Sequence, residues 1–389
     1  MNPLPAIDAG SADLTAWRRD FHAHPEIGFA EHRTAARVAE LLRSFGCDEV
    51  HAGIGGTGVV GVIAGAKGPG RRIGLRADMD ALPMEEATNL PYRSTVPGLF
   101  HGCGHDGHTT MLLGAARHLA ASRDFSGTAI LIFQPAEEGL GGGRAMIADG
   151  LFERFPCDEI FALHNAPDLP LGAVGITPGA AMAGASFFDI VVRGKGGHAA
   201  MPSLARDPVV VATAFAQSAQ SVVARDVHPL HPAVLSITRI EAGSAYNVIP
   251  DEARLAGTLR YFHREARTIM GDRLGALAKG LATAYGVEIA LEIRDVFDVL
   301  ENDARAVAAA EAVAAEIVGA SGVRADHPPS LASEDFADML RIVPGAYLWV
   351  GHGGDVPLHN PAFVLDDSIL PIGASLLARL VETRTAPEV

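Results

Sequence analysis

The segment His101-Gly102-Cys103-Gly104-His105-Asp106-Gly107-His108 concentrates three histidines, a cysteine and an aspartate among glycines. A core histidine is normally flanked by residues that pack, and here almost nothing apolar is available. Imidazole and thiolate donors at close spacing suit zinc-like ions. A single cysteine does not make the closed four-ligand structural zinc pattern, but it can bridge two metals. The plainer alternative is a Gly-rich surface turn with incidental histidines. Glu137-Glu138 follows an apolar run, and adjacent carboxylates repel unless a cation or a proton lies between them. His164 and His359 add two further imidazoles. Cys103, His105, Glu138, His164 and His359 together supply five ligands, enough for two metals if one ligand is shared. Two-metal hydrolytic sites clamp an attacking water and need a separate base. Glu137 is the carboxylate left for that role.

These residues need elements to position them. Four apolar runs end in polar clusters: Arg72–Leu75 before Arg76-Ala77-Asp78-Met79-Asp80, Thr128–Phe133 before Gln134-Pro135-Ala136-Glu137-Glu138, Glu159–Leu163 before His164, and Ala346–Val350 before Gly351-His352. Short continuous apolar runs bounded by turn signals predict buried strands. Helical patterns over Thr34–Phe45 and Thr109–Ala121 lie between them. Such α/β sheets carry their chemistry beyond the carboxyl ends of the strands.

The middle of the chain differs. Strands are expected at Ser186–Arg193, Val234–Glu241, Ala253–Phe262 and Val287–Ile293. Helices are expected at Asp207–Arg225, with apolar positions Val210, Val211, Ala214, Phe215 and Val222, and at Arg264–Tyr285. The order β-α-β-β-α-β is ferredoxin-like. The expected fold is therefore a mixed-sheet α/β metal-binding domain, residues 1–183 and 297–389, with a ferredoxin-like domain inserted at 184–296.

Composition narrows the function. The chain has 389 residues, 48% of them hydrophobic and 20% charged, which excludes a disordered protein. Its formal charge of −15 and the lack of a basic patch argue against nucleic-acid binding. The uncharged run Leu169–Phe188 contains Pro170 and Pro178 and reads as loop and short strands, so no membrane span is expected. Met1–Asp20 carries early prolines and acids without a positively charged start and apolar core, so no secretory signal is expected. Cys47, Cys103 and Cys157 are odd in number and far apart, so no disulfide framework is implied. A cytoplasmic protein is the expectation.

The motifs Arg76-Ala77-Asp78-Met79-Asp80-Ala81-Leu82-Pro83, His101–Thr109, Gln134–Gly139 and His359-Asn360-Pro361 resemble the M20 metallopeptidase family, in its amidohydrolase branch. That branch includes hippurate hydrolases, N-acyl-amino-acid deacylases and auxin-conjugate hydrolases. The resemblance begins at His22-Ala23-His24-Pro25-Glu26 and covers nearly the whole chain. It implies a dinuclear site bridged by Cys103 and completed by His105, Glu138, His164 and His359. The two divalent ions per subunit would be Zn²⁺ or Mn²⁺, with Co²⁺ or Ni²⁺ as further candidates. Glu137 would be the general base that takes a proton from the attacking water and delivers it to the leaving amine. Asp78 matches an aspartate that in the wider family orients a metal-bound histidine two residues earlier, where this chain has Arg76. In the inserted domain His198, within Gly196–Pro202, resembles a histidine that reaches across a dimer to the oxyanion. Asn247 and Arg260 resemble residues that hold the substrate carboxylate or oxyanion. The Ser333–Phe336 segment also matches. The implied activity is hydrolysis of the amide bond of N-acyl amino acids by a homodimer or dimer-based homo-oligomer joined through the inserted lid domain. A dipeptidase of the same metal class, a hydrolase with Cys103 as nucleophile, and a metal-binding regulator without turnover are the competing readings.

Overall fold

The structure is a computed structural model and describes residues 1–386. The chain divides into two compact units. One comprises Met1–Ala181, Glu301–Pro328 and the chain from Asp335 onward; the other comprises Met182–Leu300 and Pro329–Glu334.

The first unit is built on an eight-stranded mixed sheet. Its strands run in the order Glu49–Ile54, Gly58–Ala64, Thr128–Gln134, Arg72–Asp78, Glu159–Ala166, Gly345–Gly351, Val174–Ile176 and Val323–Arg324. The central four, from Thr128–Gln134 to Gly345–Gly351, are mutually parallel. Every residue of Glu159–Ala166 and Gly345–Gly351 is buried, as expected of parallel strands covered on both faces. All four strand ends read from the sequence are therefore real, and they point the same way. The polar clusters at Asp78, Glu137 and His164 gather at the carboxyl ends of these central strands for that reason.

The helix after the cysteine motif spans His105–Ser122, longer than the apolar pattern from Thr109 predicts. It begins at His105 because Gly104, at φ 96°, takes the left-handed conformation that turns the chain into the helix. A Cβ at Gly104 would lie 2.2 Å from the Asn165 side-chain oxygen. His105, Asp106 and His108 thus occupy a first helical turn, not a loop, and Asp106 complements the positive helix end. This helix packs against Leu370–Arg384 and Ser11–Ala23, at the centre of the apolar core.

The second unit contains a four-stranded antiparallel sheet in the order Ala233–Ala242, Glu252–Tyr261, Gly184–Arg193, Glu288–Phe297. With helices Pro208–Ser221 and Arg264–Tyr285, it has the ferredoxin-like chain order and sheet order. Asp207 caps the first helix by accepting from the Val209 N–H. Val211, Phe215 and Val222 are buried, but Val210 is 48% exposed, contrary to the sequence reading. Val210 and Val211 are neighbours about 100° apart on a helix, so only one can face the sheet. No helix among the described residues is long and apolar enough to cross a membrane.

Candidate metal centre

Within the first unit the donor atoms of Cys103, His105, Glu138, His164 and His359 form two overlapping groups. Cys103, His105 and His164 make one; Cys103, Glu138 and His359 make the other, and in each the donor atoms lie within 4.8 Å of one another. Cys103 Sγ lies 3.4 Å from His164 Nε2 and 3.3 Å from His359 Nε2. Glu138 Oε1 lies 3.2 Å from His359 Nε2 and 3.9 Å from His105 Nε2. Two ligand atoms on one tetrahedral zinc-like ion are separated by roughly 3.3–3.8 Å, given bonds of about 2.0–2.3 Å. The observed spacing falls in or near that range.

The surroundings leave these donors aimed at one another. Asp80 Oδ1 accepts from His105 Nδ1 at 3.2 Å, which leaves Nε2 facing the cluster. The other oxygen of Asp80 accepts the Glu138 backbone N–H at 2.9 Å. His164 Nδ1 donates to the Asn165 carbonyl at 2.7 Å and also leaves its Nε2 facing inward. His105 Nε2 and Glu138 Oε1 are buried atoms without a hydrogen-bond partner. Unpaired buried polar atoms are costly, and a divalent cation would satisfy both. The residues present fit such an ion.

The electrostatics agree. Burial pushes the Cys103 thiol up to about 12, so a cation is what would hold it as thiolate near neutral pH. Burial also keeps His164 well below its ordinary value and so neutral, the form that ligates. His105 is driven well above its ordinary value; burial opposes the charge, but Asp78 and Cys103 outweigh it. A cation arriving there would displace that proton.

Glu137 and Glu138 follow Ala136, which sits at φ 54° in the left-handed region. The buried carboxylate of Glu31 accepts the Ala136 N–H at 2.8 Å and holds this turn. Glu137 is 7% exposed, with an oxygen inside a further donor group formed with His105 and Glu138. His359 is also left-handed, at φ 61°. It is the exposed member of the set, its side chain half open to solvent, while His105 lies at the closed end.

The other motif residues have different work. His108 spans Asp78 Oδ1 and Asn165 Oδ1, each at 2.7 Å, so both ring nitrogens are engaged. Asp78 lies 3.9 Å from His105 Nδ1 and binds His108 more closely. Burial pushes the Asp78 carboxyl up, but His105, His108 and Arg76 outweigh it and hold it well below the usual range. Asp106 pairs with His22, and His101 is buried beside the His22 ring. Asp80 and Asn165 carry positioning roles that the sequence reading did not assign. The position of Asp80 just past the end of strand Arg72–Asp78, two residues after Asp78, was the available signal.

In the second unit His198 and Asn247 come together on a short ribbon. Gly197–His198 pairs with Val248–Ile249, and the Ala199 N–H donates to the Asn247 carbonyl at 3.0 Å. His198 is exposed, with Nδ1 accepting from the Ala200 N–H at 3.1 Å. Arg260, half-buried on Glu252–Tyr261, donates to the Ser333 hydroxyl. Among the described residues no carboxylate lies within ion-pair distance of Arg260.

The sequence pattern of Peptidase family M20/M25/M40 matches residues 74–383. The chain belongs to that family. Among its M20 relatives, hippurate hydrolase of Campylobacter jejuni is 42% identical over 98% of both chains. N-acetylcysteine deacetylase of Bacillus subtilis is 39% identical over 94% of this chain and 95% of its own. These relatives lie in the amidohydrolase branch of the M20 family. Among solved structures, the YXEP protein of Bacillus subtilis, described as a dinuclear metal binding peptidase from the M20 family, superposes with a TM-score of 0.85. It is 35% identical, over 97% of this chain and 99% of that one.

Proposed function

We propose that the protein hydrolyses the amide bond of N-acyl amino acids, releasing a carboxylate and a free amino acid. In this reading Cys103, His105, Glu138, His164 and His359 hold two divalent ions, Zn²⁺ or Mn²⁺ in the first instance and Co²⁺ or Ni²⁺ as alternatives. The observation that carries it is the membership of Cys103 in two separate three-donor groups. The names of the relatives, hippurate hydrolase and N-acetylcysteine deacetylase, support this substrate class.

When bound, the ions would polarise the amide carbonyl and make water acidic enough to attack near neutral pH. Glu137 is a carboxylate beside the cluster that no three-donor set sharing Cys103 uses. It takes the proton of the attacking water and returns it to the amide nitrogen as the C–N bond breaks, the role of a general acid–base group. Arg260, with no carboxylate of its own, offers a planar fork for the substrate carboxylate, and Asn247 adds an amide. Because His198 Nδ1 accepts from Ala200, its Nε2 carries the proton and can donate to the developing oxyanion.

In this reading His198 acts from a second subunit, and the protein is a homodimer or dimer-based oligomer through its ferredoxin-like unit. The edge strand Ala233–Ala242 supports that, since it exposes Val234 and Ile240 beside an unpaired backbone. We place the protein in the cytoplasm, where reducing conditions keep thiols such as Cys103 free for metal.

The test is a hydrolysis panel of N-acetyl amino acids, N-benzoyl amino acids and dipeptides after chelation and reconstitution with each ion. Activity on the acyl amino acids should vanish with chelator and return with metal. Chelator-resistant turnover would overturn the metal reading and favour a Cys103 nucleophile, and turnover of dipeptides alone would favour a dipeptidase.

A further inference from the structure

Arg76 is a guanidinium in the interior of a central strand, with a fully buried side chain. Such a charge is tolerated only when its donors are matched. Nη1 donates to Asp78 Oδ2 at 2.7 Å, Nε to Gln134 Oε1 at 2.9 Å and Nη2 to Asp335 Oδ1 at 3.1 Å. Gln134 closes a ring by donating to the same Asp335 oxygen at 2.7 Å, and the Gly143 N–H donates to the other at 2.8 Å. The Arg76 guanidinium also lies 5.8 Å from the centre of the Phe336 ring. Asp78, Gln134 and Asp335 are each met by a different nitrogen of one fork, which an ammonium cannot do.

The two carboxylates on this fork face different parts of the site. Asp78 uses its second oxygen to hold His108 and lies behind His105. Asp335 has an oxygen within 4.8 Å of a Glu137 oxygen. Its two acceptor positions are fixed by Arg76, Gln134 and Gly143, so it cannot swing toward or away from Glu137 without breaking that ring. The ring accordingly links the support of a ligand histidine to the neighbour of the base through one guanidinium.

We propose that Arg76 is a positioning residue of the hydrolytic site, fixing Asp78 behind His105 and Asp335 beside the general base with one guanidinium. The assignment rests on the metal-hydrolase reading above. It gives the Asp335-Phe336 pair of the late motif a role: Asp335 is the fork's second anchor and Phe336 the ring beside it.

The test uses the full chain, loaded with Co²⁺ after its activity has been shown to fall with chelator and return with metal. The double variant Arg76→Gln, Asp335→Asn removes one buried charge of each sign. Gln134→Met keeps every charge and nearly the volume but cuts two bonds of the ring. Both variants should unfold near the parent's temperature and bind cobalt at the parent's stoichiometry, with shifted cobalt absorption bands in the double variant. In the double variant kcat should drop at least about a hundredfold with KM within about threefold; in Gln134→Met kcat should drop about tenfold. Arg76→Lys should recover less than about a tenth of the parent kcat. Parent-like kcat and cobalt spectrum in the double variant, or parent-like kcat in Gln134→Met if the double variant does not fold, would overturn the role of Arg76 alone. A parent chain indifferent to chelation would overturn both this role and the metal reading.

Discussion

The backbone N–H of His359 donates to the carbonyl of Gly102 at 2.8 Å. That bond fastens the last candidate ligand in the chain one residue from Cys103, and the left-handed φ of His359 turns its ring toward the thiol. A strained backbone held by a tertiary hydrogen bond at a site of converging donors is part of how such a site is prepared.

Glu137→Gln removes the proposed base while leaving the candidate ligands intact. The expected result is a fall in kcat of roughly 10²- to 10⁴-fold, with metal content unchanged by elemental analysis. Full activity in this variant would mean that another group moves the proton.

Cys103 belongs to both donor groups, whereas His164 and His359 belong to one each. Cys103→Ser should therefore weaken retention of both ions, and His164→Ala or His359→Ala of one. Metal stoichiometry after dialysis distinguishes these outcomes. Equal loss in all three variants would contradict a shared thiolate.

Gly104→Ala places a methyl group 2.2 Å from the Asn165 oxygen in a backbone with φ 96°. The strain should cost about 1–3 kcal/mol, read as a lower urea midpoint. Because Asn165 holds His108, activity should fall along with stability. An unchanged midpoint would mean that the helix start can be rebuilt without glycine.

His22 is buried against Asp106 at 2.8 Å and Glu86 at 3.3 Å, with Arg18, His101 and Tyr92 also facing it. Burial opposes its charge, but the bonds to Asp106 and Glu86 outweigh burial and raise it from 6.5 to about 9. A raised folded value means the stabilisation is complete below about 6.5 and is lost as pH rises through about 9. His22→Gln should destabilise by about 1–3 kcal/mol at pH 6, and the gap to the parent should narrow at pH 9.5. Denaturant melts at the two pH values measure it; a gap that widens with pH would reverse the assignment.

The strands that carry the site were legible because buried parallel strands read as unbroken apolar runs, as at Thr128–Gln134 and Glu159–Ala166. Cys103 and His105 stood out because glycines surround them. What stayed hidden depends on tertiary partners. Nothing local announces that Ala136 is left-handed, since the Glu31 carboxylate imposes it from 105 residues away. His108 had no assigned role in the sequence, and only its neighbours Asp78 and Asn165 reveal one. The start of the helix at His105 was obscured by Gly104 and Gly107, which read as loop by composition.

The candidate ligands lie at 103, 105, 138, 164 and 359, so the second donor group closes only when a strand and loop some 256 residues after Cys103 are in place. During synthesis at about 5–20 residues per second, the first donor group is on hand about 10–40 seconds before His359 is added to the chain. The order of translation thus separates the two groups in time. A chain interrupted after residue 164 would carry the first set without the second, and full metal loading would report that the polypeptide had been read through residue 359.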